Sequence, residues 1–104
     1  MDQGIIEIVN RYVELVKTRY SIEQSILFGS YAKNKESQHS DIDIAFVFAK
    51  LSDNEKFDTQ IQLMLLASEV DTRIEPHPIS KKDFSLNTPF VNEIKRTGIQ
   101  VNVH

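Results

Sequence analysis

The segment that decides the fold spans residues 28–48 and reads FGSYAKNKESQHSDIDIAFVF. A Gly-Ser pair, Gly29 and Ser30, ends one apolar run, and two aspartates, Asp41 and Asp43, begin the next. A Gly-Ser turn offers backbone N–H groups and a hydroxyl to a phosphate. Alternate residues of a strand lie on one face, so the two aspartates present their carboxylates together to a divalent cation. The segment therefore predicts a site for a metal-bound nucleoside triphosphate.

Helices and strands are predicted on both sides of this segment. An apolar stripe that includes Ile5, Val9 and Tyr12 is typical of an amphipathic helix. In chain order the predicted elements are a helix (3–19), a strand (22–28), a short helix (29–33), a loop (34–40), a strand (41–49), a helix from Ser52, a strand (71–79), a helix from Pro89 to Gly98 and a short strand (99–103). This order predicts an α/β (α+β) fold, a small mixed β-sheet with helices packed on it.

The central helix has a defined start and a predicted buried side. Ser52 and Glu55 form a Ser-x-x-Glu capping box, so the helix is expected to begin there. The side chains expected to face the core are Phe57, Ile61, Met64, Leu65 and Val70. Pro76 and Pro78 cannot donate hydrogen bonds to a neighbouring strand, so the strand that contains them is expected at a sheet edge.

Composition limits the class of protein. With 104 residues, 40% hydrophobic and 26% charged, a single globular domain over residues 1–104 is expected. The absence of cysteine excludes disulfides, cysteine zinc sites and a thiol nucleophile. A net charge of -3 disfavours a broad basic surface for DNA or RNA. The start MDQGIIEIVN does not resemble a signal peptide and no apolar run approaches membrane-spanning length, so we expect a cytoplasmic protein without membrane contact.

The spacing of the two motifs carries a family resemblance. Gly29-Ser30, the ten residues 31–40 and then Asp41-x-Asp43 resemble the nucleotidyltransferase superfamily that includes DNA polymerase beta. The chain looks most like the minimal nucleotidyltransferases (MNT), whose core is about this long. The local sequences Gly-Ser-Tyr-Ala and Ser-Asp-Ile-Asp also match those of this family. The resemblance implies the nucleotidyltransferase fold.

One pair of residues departs from the family pattern. Members commonly have Arg-Gly after Gly-Ser-x-Ala, whereas this chain has Lys33 and Asn34. Lysine keeps the positive charge but lacks the planar guanidinium. Asparagine tolerates the left-handed backbone conformation that glycine would have supplied.

The family also needs a third carboxylate from a later strand. Asp71 and Glu75 share one face of the predicted strand 71–79. We favour Glu75 because it lies deeper in that strand, while Asp71 lies near the strand entry and remains the alternative. His77 shares the same face, where it either touches the nucleotide or acceptor or lies at the surface.

The resemblance implies a reaction and roles for these residues. It implies transfer of a nucleoside monophosphate, AMP from ATP as the substrate, to an acceptor hydroxyl with release of pyrophosphate. Asp41, Asp43 and Glu75 would be the catalytic carboxylates and would hold one or two Mg²⁺ ions. Gly29 and Ser30 would bind the terminal phosphates of the nucleotide.

The resemblance further implies a protein partner. Minimal nucleotidyltransferases are typically paired with HEPN toxins, and in that setting the chain would be an antitoxin that adds AMP to a toxin tyrosine. Because the catalytic core uses nearly all of the chain, we expect a second copy or a partner, in a homo- or hetero-oligomer, to supply the acceptor site. The alternative is a non-catalytic binding module that neutralises its partner by contact. Transfer to a small molecule is disfavoured by the lack of an acceptor domain, and direct nucleic-acid binding by the acidic balance.

Overall fold

The computed structural model describes residues 2–37 and 39–102, in which helices and strands form a layered arrangement. The elements are α1 (Gln3–Lys17), β1 (Ile22–Phe28), β2 (Ile42–Phe48), α2 (Asp53–Ser68), β3 (Ile74–Ser80), α3 (Lys81–Phe84), α4 (Pro89–Thr97) and β4 (Ile99–Gln100). The strands form one sheet in the order β3-β2-β1-β4. β1 is antiparallel to β2 and β4, whereas β2 and β3 are parallel. The predicted α/β (α+β) class with a small mixed sheet is confirmed.

Apolar side chains cover both faces of the sheet. The larger cluster lies between the sheet and the helices α1 and α2, and it contains Ile42, Ile44 and Phe46 of β2. The smaller cluster lies on the opposite face and joins Ala45 of β2 to Ile94 of α4. Successive residues of β2 thus point to opposite faces and are buried on both. β2 is therefore an interior strand of the sheet, with helices packed over both of its faces.

Helix α1 packs on the larger cluster through the predicted stripe. Asp2 caps its first turn by accepting a hydrogen bond from the Gly4 amide, and the helix ends at Lys17, two residues earlier than predicted. Its buried residues are Ile5, Val9, Tyr12, Val13 and Val16. Like the other helices of residues 2–37 and 39–102, α1 lacks the combined length and apolar character needed to cross a membrane.

The hydroxyl of Tyr12 ties α1 to α2. It donates a hydrogen bond to the backbone carbonyl of Leu63 at 2.7 Å, and both residues are fully buried. The Tyr12 ring meets Phe46 of β2 edge-on, with ring centroids 5.7 Å apart. Burial raises the pKa of Tyr12, so its hydroxyl stays protonated and keeps donating throughout the physiological pH range.

The capping box of α2 is confirmed, but its predicted buried side is wrong. Ser52 caps the helix and Glu55 closes the box. The helix buries Leu63, Leu66 and Ala67 instead of the predicted set. The side chains that lie exposed are Phe57 (72%), Ile61 (39%), Met64 (52%) and Leu65 (57%), while Val70 follows the helix and packs partly on the core.

The rotation of α2 has a physical cause outside its own sequence. The helix is apolar on more than one side, so its own pattern does not select a face. The Tyr12 hydroxyl binds the carbonyl of Leu63, and the Gln60 amide donates to the carbonyl of Pro76 at 2.8 Å. These two contacts with other elements fix the face that α2 turns inward.

The short helix predicted over residues 29–33 is wrong, because the structure has a hydrogen-bonded turn there. The Lys33 amide donates to the Gly29 carbonyl at 3.2 Å, and the Lys35 amide donates to the Ser30 carbonyl at 2.9 Å. Asn34 has a φ of 56°, which ends the turn in the left-handed region as expected for asparagine at this position.

The carboxyl-terminal part is largely as predicted. β3 is an edge strand, although it begins at Ile74 rather than at residue 71. Thr88 caps α4 with Pro89 in its first turn, and Gly98 ends the helix. The predicted last strand is confined to Ile99–Gln100, and Val103 lies outside the described residues. The four-residue helix α3, capped by Ser80, was not predicted from the sequence.

We expect Tyr12→Phe to lower the free energy of unfolding by about 1 kcal/mol because it removes one buried hydrogen bond. In a chain of this size the melting temperature should fall by roughly 4–8 °C. The control is Tyr20→Phe, whose ring meets Phe48 edge-on at 5.7 Å but is only half-buried. Equal losses in the two variants, measured by urea unfolding, would contradict a specific contribution from the bond between Tyr12 and Leu63.

Candidate active site

Strand pairing brings the predicted site residues to one end of the sheet. Phe28 at the end of β1 is paired with Asp43 near the start of β2, and Asp43 is paired with Glu75 near the start of β3. Gly29 directly follows Phe28, so the Gly-Ser turn lies beside both acidic residues. The two motifs therefore lie at the same end of adjacent strands, as the sequence predicted.

Three side chains at this end converge. Asp43, Glu75 and His77 each offer one potential metal-ligand atom, and these atoms all lie within 4.8 Å of one another. His77 Nε2 is 3.2 Å from Asp43 Oδ1. Glu75 and His77 are two residues apart on β3 and so share a face, and the register partner of His77 is the small Ala45. The local geometry thus gathers two carboxylates and an imidazole.

Among the residues that the structure describes, Asp41 is not part of this convergent group, but it lies beside Glu75. It precedes β2, is exposed, and shares a hydrogen bond with the Glu75 carboxyl. The pKa of Glu75 is raised by the loss of solvent around its carboxyl, by this hydrogen bond and by the negative charges of Asp43 and Asp41, while His77 acts in the opposite direction. Carboxylates this close repel one another unless a proton or a cation lies among them. The donor set therefore fits a divalent cation such as Mg²⁺.

The other candidate for the third carboxylate, Asp71, is already engaged by a cation. Arg73 donates to both of its carboxylate oxygens, from Nε at 3.0 Å and from a terminal nitrogen at 2.8 Å. These hydrogen bonds hold the pKa of Asp71 below its usual range. Asp71 precedes β3, and the convergent group within residues 2–37 and 39–102 does not include it. The geometry groups Glu75, not Asp71, with Asp43.

Gly29 meets two separate demands. Its φ of 77° lies in the left-handed region, which side-chain-bearing residues rarely adopt. A Cβ at this position would lie only 2.5 Å from Asp43 Oδ2. The sequence predicts that the backbone comes close to a phosphate at this glycine. The structure shows that glycine also leaves room for the Asp43 carboxylate. Ser30 follows in the turn and is half-exposed.

Lys33, which stands where the family commonly has arginine, reaches α4. Its ammonium lies 2.8 Å from Glu93 Oε1, and Arg96 binds the other oxygen of the same carboxylate. Both cations hold the pKa of Glu93 below its usual range, the bond from Lys33 being the larger cause. The contact attaches the Gly-Ser turn to α4. Tyr31, the next residue of the turn after Ser30, is buried in the core.

Aromatic rings surround His77. Its ring lies edge-on to Phe28, with centroids 5.0 Å apart, and 5.9 Å from Phe90 of α4. The sequence leaves open whether His77 touches the site or lies at the surface, and in the structure it lies beside Asp43 and Glu75. The signal available in the sequence was its spacing of two from Glu75 on a strand.

Comparison with known protein families identifies the class of protein that has this fold. The family described as "Polymerase beta, Nucleotidyltransferase" matches residues 10–102. The chain therefore belongs to the polymerase beta nucleotidyltransferase family. The resemblance predicted from Gly29-Ser30 and Asp41-x-Asp43 is confirmed.

Two predicted protein adenylyltransferases from Methanocaldococcus jannaschii are similar in sequence. One is 36% identical over 53 residues, which cover 51% of this chain and 54% of that protein. The other is 30% identical over 94 residues, which cover 86% of this chain and 85% of that protein. The chain thus spans about half the length of the first relative and most of the second.

Solved structures share the fold. A predicted nucleotidyltransferase from Sulfolobus solfataricus has a TM-score of 0.65 at 22% identity, covering 91% of this chain and 77% of that one. A chain of a toxin-antitoxin structure with AMP-PNP has a TM-score of 0.61 at 22% identity, and the match covers 88% of this chain and 69% of that one. A chain from the complex of tri-AMPylated Shewanella oneidensis HEPN toxin with MNT antitoxin has a TM-score of 0.58 at 20% identity. That match covers 90% of this chain and 68% of the other.

We expect Gly29→Ala to destabilise the protein by about 2–3 kcal/mol, since the added methyl meets both the left-handed backbone and the Asp43 carboxylate. In an Asp43→Ala background the second penalty disappears, and the cost should fall to about 1–2 kcal/mol. Urea unfolding of the four proteins in this double-mutant cycle measures the difference.

The matched control is Gly4→Ala in α1, where φ is not positive and the nearest atom to a new Cβ is the Asp2 side chain at 3.1 Å. Alanine favours a helix over glycine by up to about 1 kcal/mol, so this variant should be neutral or stabilised. A cost of Gly29→Ala that is the same with and without the Asp43 carboxylate would contradict the steric coupling of the two positions.

Proposed function

We propose that this chain is a metal-dependent nucleotidyltransferase that transfers AMP from ATP to a hydroxyl group of a partner protein. The observation that carries the proposal is the strand pairing of Asp43 with both Phe28 and Glu75. This pairing sets the acidic group beside the Gly-Ser turn. Membership of the nucleotidyltransferase family supports the same reaction class.

The proposed roles follow from position and charge. Asp41, Asp43 and Glu75 would hold one or two divalent cations, for which Mg²⁺ has the right preference for carboxylate oxygens. When bound, such an ion supplies positive charge that offsets the charge of the triphosphate. Gly29 and Ser30 would hold the terminal phosphates, because the turn exposes backbone close to the site without a Cβ in the way.

The proposed transfer balances in atoms and charge. The acceptor hydroxyl oxygen bonds to the α-phosphorus of ATP, and the bond from that phosphorus to the oxygen bridging toward the β-phosphate breaks. Pyrophosphate leaves, and AMP stays on the acceptor. The proton of the hydroxyl goes to the Glu75 carboxylate, which lies beside Asp43 and is proposed to act as the general base.

The proposed acceptor is a tyrosine of a HEPN-family toxin, with this chain acting as the antitoxin. One protein of similar fold comes from a complex between an AMPylated HEPN toxin and an MNT antitoxin. Two relatives in sequence are predicted protein adenylyltransferases. Both similarities favour a protein hydroxyl over a small molecule or a nucleic acid as the acceptor.

We expect Asp43→Asn to abolish AMP transfer while leaving the fold intact, since the amide keeps the size of the carboxylate and removes its charge. The assay incubates the chain with ATP, Mg²⁺ and the product of the neighbouring gene, and intact-mass spectrometry measures the gain of AMP on that protein. Loss of one such carboxylate should lower the rate by at least about 10²-fold.

The matched control is Asp71→Asn, which changes an aspartate outside the convergent group and should keep the wild-type rate. Normal transfer by Asp43→Asn would contradict the proposed site. A variant with Asp41, Asp43 and Glu75 all changed to amides separates the two modes of antitoxin action. If it still neutralised the toxin without AMP transfer, the non-catalytic binding module would be the better description.

A further inference from the structure

The proposed transfer gives no role to His77, although this side chain lies in the middle of the site. Its Nε2 faces Asp43 Oδ1 at 3.2 Å, and it belongs to the convergent group with Asp43 and Glu75. A carboxylate site for Mg²⁺ alone needs no imidazole, because Mg²⁺ binds oxygen ligands. The position of the ring therefore calls for its own explanation.

The distance between the imidazole and the carboxylate fits two adjacent ligands of one ion. With metal–ligand bonds of about 2.1 Å, neighbouring ligand atoms of an octahedral ion lie about 3.0 Å apart. For a tetrahedral ion the same separation is about 3.4 Å. The observed 3.2 Å between Nε2 and Oδ1 falls between these values, so small adjustments would let both atoms bind the same cation.

The ring is also held in place before any ligand arrives. Phe28 packs edge-on against it at 5.0 Å, and Phe90 lies at 5.9 Å on another side. Its neighbours in β3, Pro76 and Pro78, are buried and restrict the backbone. The His77 side chain retains 27% exposure and that of Asp43 23%, so a small ion can still reach both. A ligand fixed in this way loses little conformational freedom on binding.

We propose that His77, Asp43 and Glu75 form a mixed imidazole–carboxylate site that prefers Mn²⁺ over Mg²⁺. Carboxylates suit both ions, but Mg²⁺ takes oxygen ligands, whereas Mn²⁺ belongs to the first-row transition metals, which also bind at nitrogen-containing sites. The inference rests on the proposed function only in placing the cation in the same site, since cation binding is measurable without turnover. His77 is in this view a determinant of metal specificity.

The direct test is the spectrum of Mn²⁺ bound to the whole chain. Pulsed electron paramagnetic resonance detects coupling of the Mn²⁺ electron spin to a directly bound imidazole ¹⁴N. We expect this coupling in the wild-type protein and its loss in His77→Phe, which keeps an aromatic ring between Phe28 and Phe90 but has no nitrogen. Bound Mn²⁺ without ¹⁴N coupling in the wild-type protein would overturn the inference, and this outcome depends on no variant.

Titration calorimetry with MnCl₂ and MgCl₂ supplies the second readout. We expect the wild-type chain to bind Mn²⁺ at least about tenfold more tightly than Mg²⁺. His77→Phe should weaken Mn²⁺ binding about 10- to 100-fold and change Mg²⁺ binding by less than about threefold. Equal weakening for both ions would mean that His77 only positions Asp43, and would overturn the specificity role.

Two further proteins complete the design. His39→Phe makes the same change at an exposed residue between Ser37 and Ser40 and should bind both ions as the wild type does. His77→Asn is the alternative should the phenylalanine variant fold poorly, and it should lose the ¹⁴N coupling of an imidazole in the same way. If the inference fails while Asp43→Asn still abolishes AMP transfer, the proposed function stands and only the metal preference is wrong.

Discussion

Mutual repulsion among acidic side chains is the constraint that the rest of this structure must satisfy. The pairing of β2 with both neighbours fixes Asp43 beside Glu75, and Asp41 is hydrogen-bonded to the same glutamate. Burial of apolar residues of the same strand stabilises the fold against this repulsion, because Ile42 and Ile44 are fully buried. The strand that concentrates negative charge at one end of the sheet is therefore also the strand that anchors the core.

The sequence was most informative where a feature is local. The capping box at Ser52 and the helix start at Pro89 depend on side chains a few residues apart, and both are confirmed. The inward face of α2 depends on contacts from α1 and β3, which no pattern within the helix encodes. The turn after Gly29 was mistaken for a helix because a single helical turn and a closed turn have the same local sequence signals.

For the candidate site too, some features could be predicted from the sequence and others required the structure. The spacing of Gly29-Ser30 and Asp41-x-Asp43 predicted that the two motifs meet, and strand pairing confirms it. The sequence favours Glu75 over Asp71 by depth in the strand alone, and the engagement of Asp71 by Arg73 is a separate argument that only the structure provides. The sequence also could not predict that Gly29 makes room for the Asp43 carboxylate, because the two residues come close only when their strands pair.

The parallel pairing of β2 with β3 has a consequence for the order of events during folding. Asp43 and Glu75 are separated along the chain by the whole of α2, so they become neighbours only after this crossover connection has closed. The unfolded chain consequently offers no preassembled cation site. Any ion that binds these residues shifts the equilibrium toward the native state by mass action, and so acts as a folding ligand.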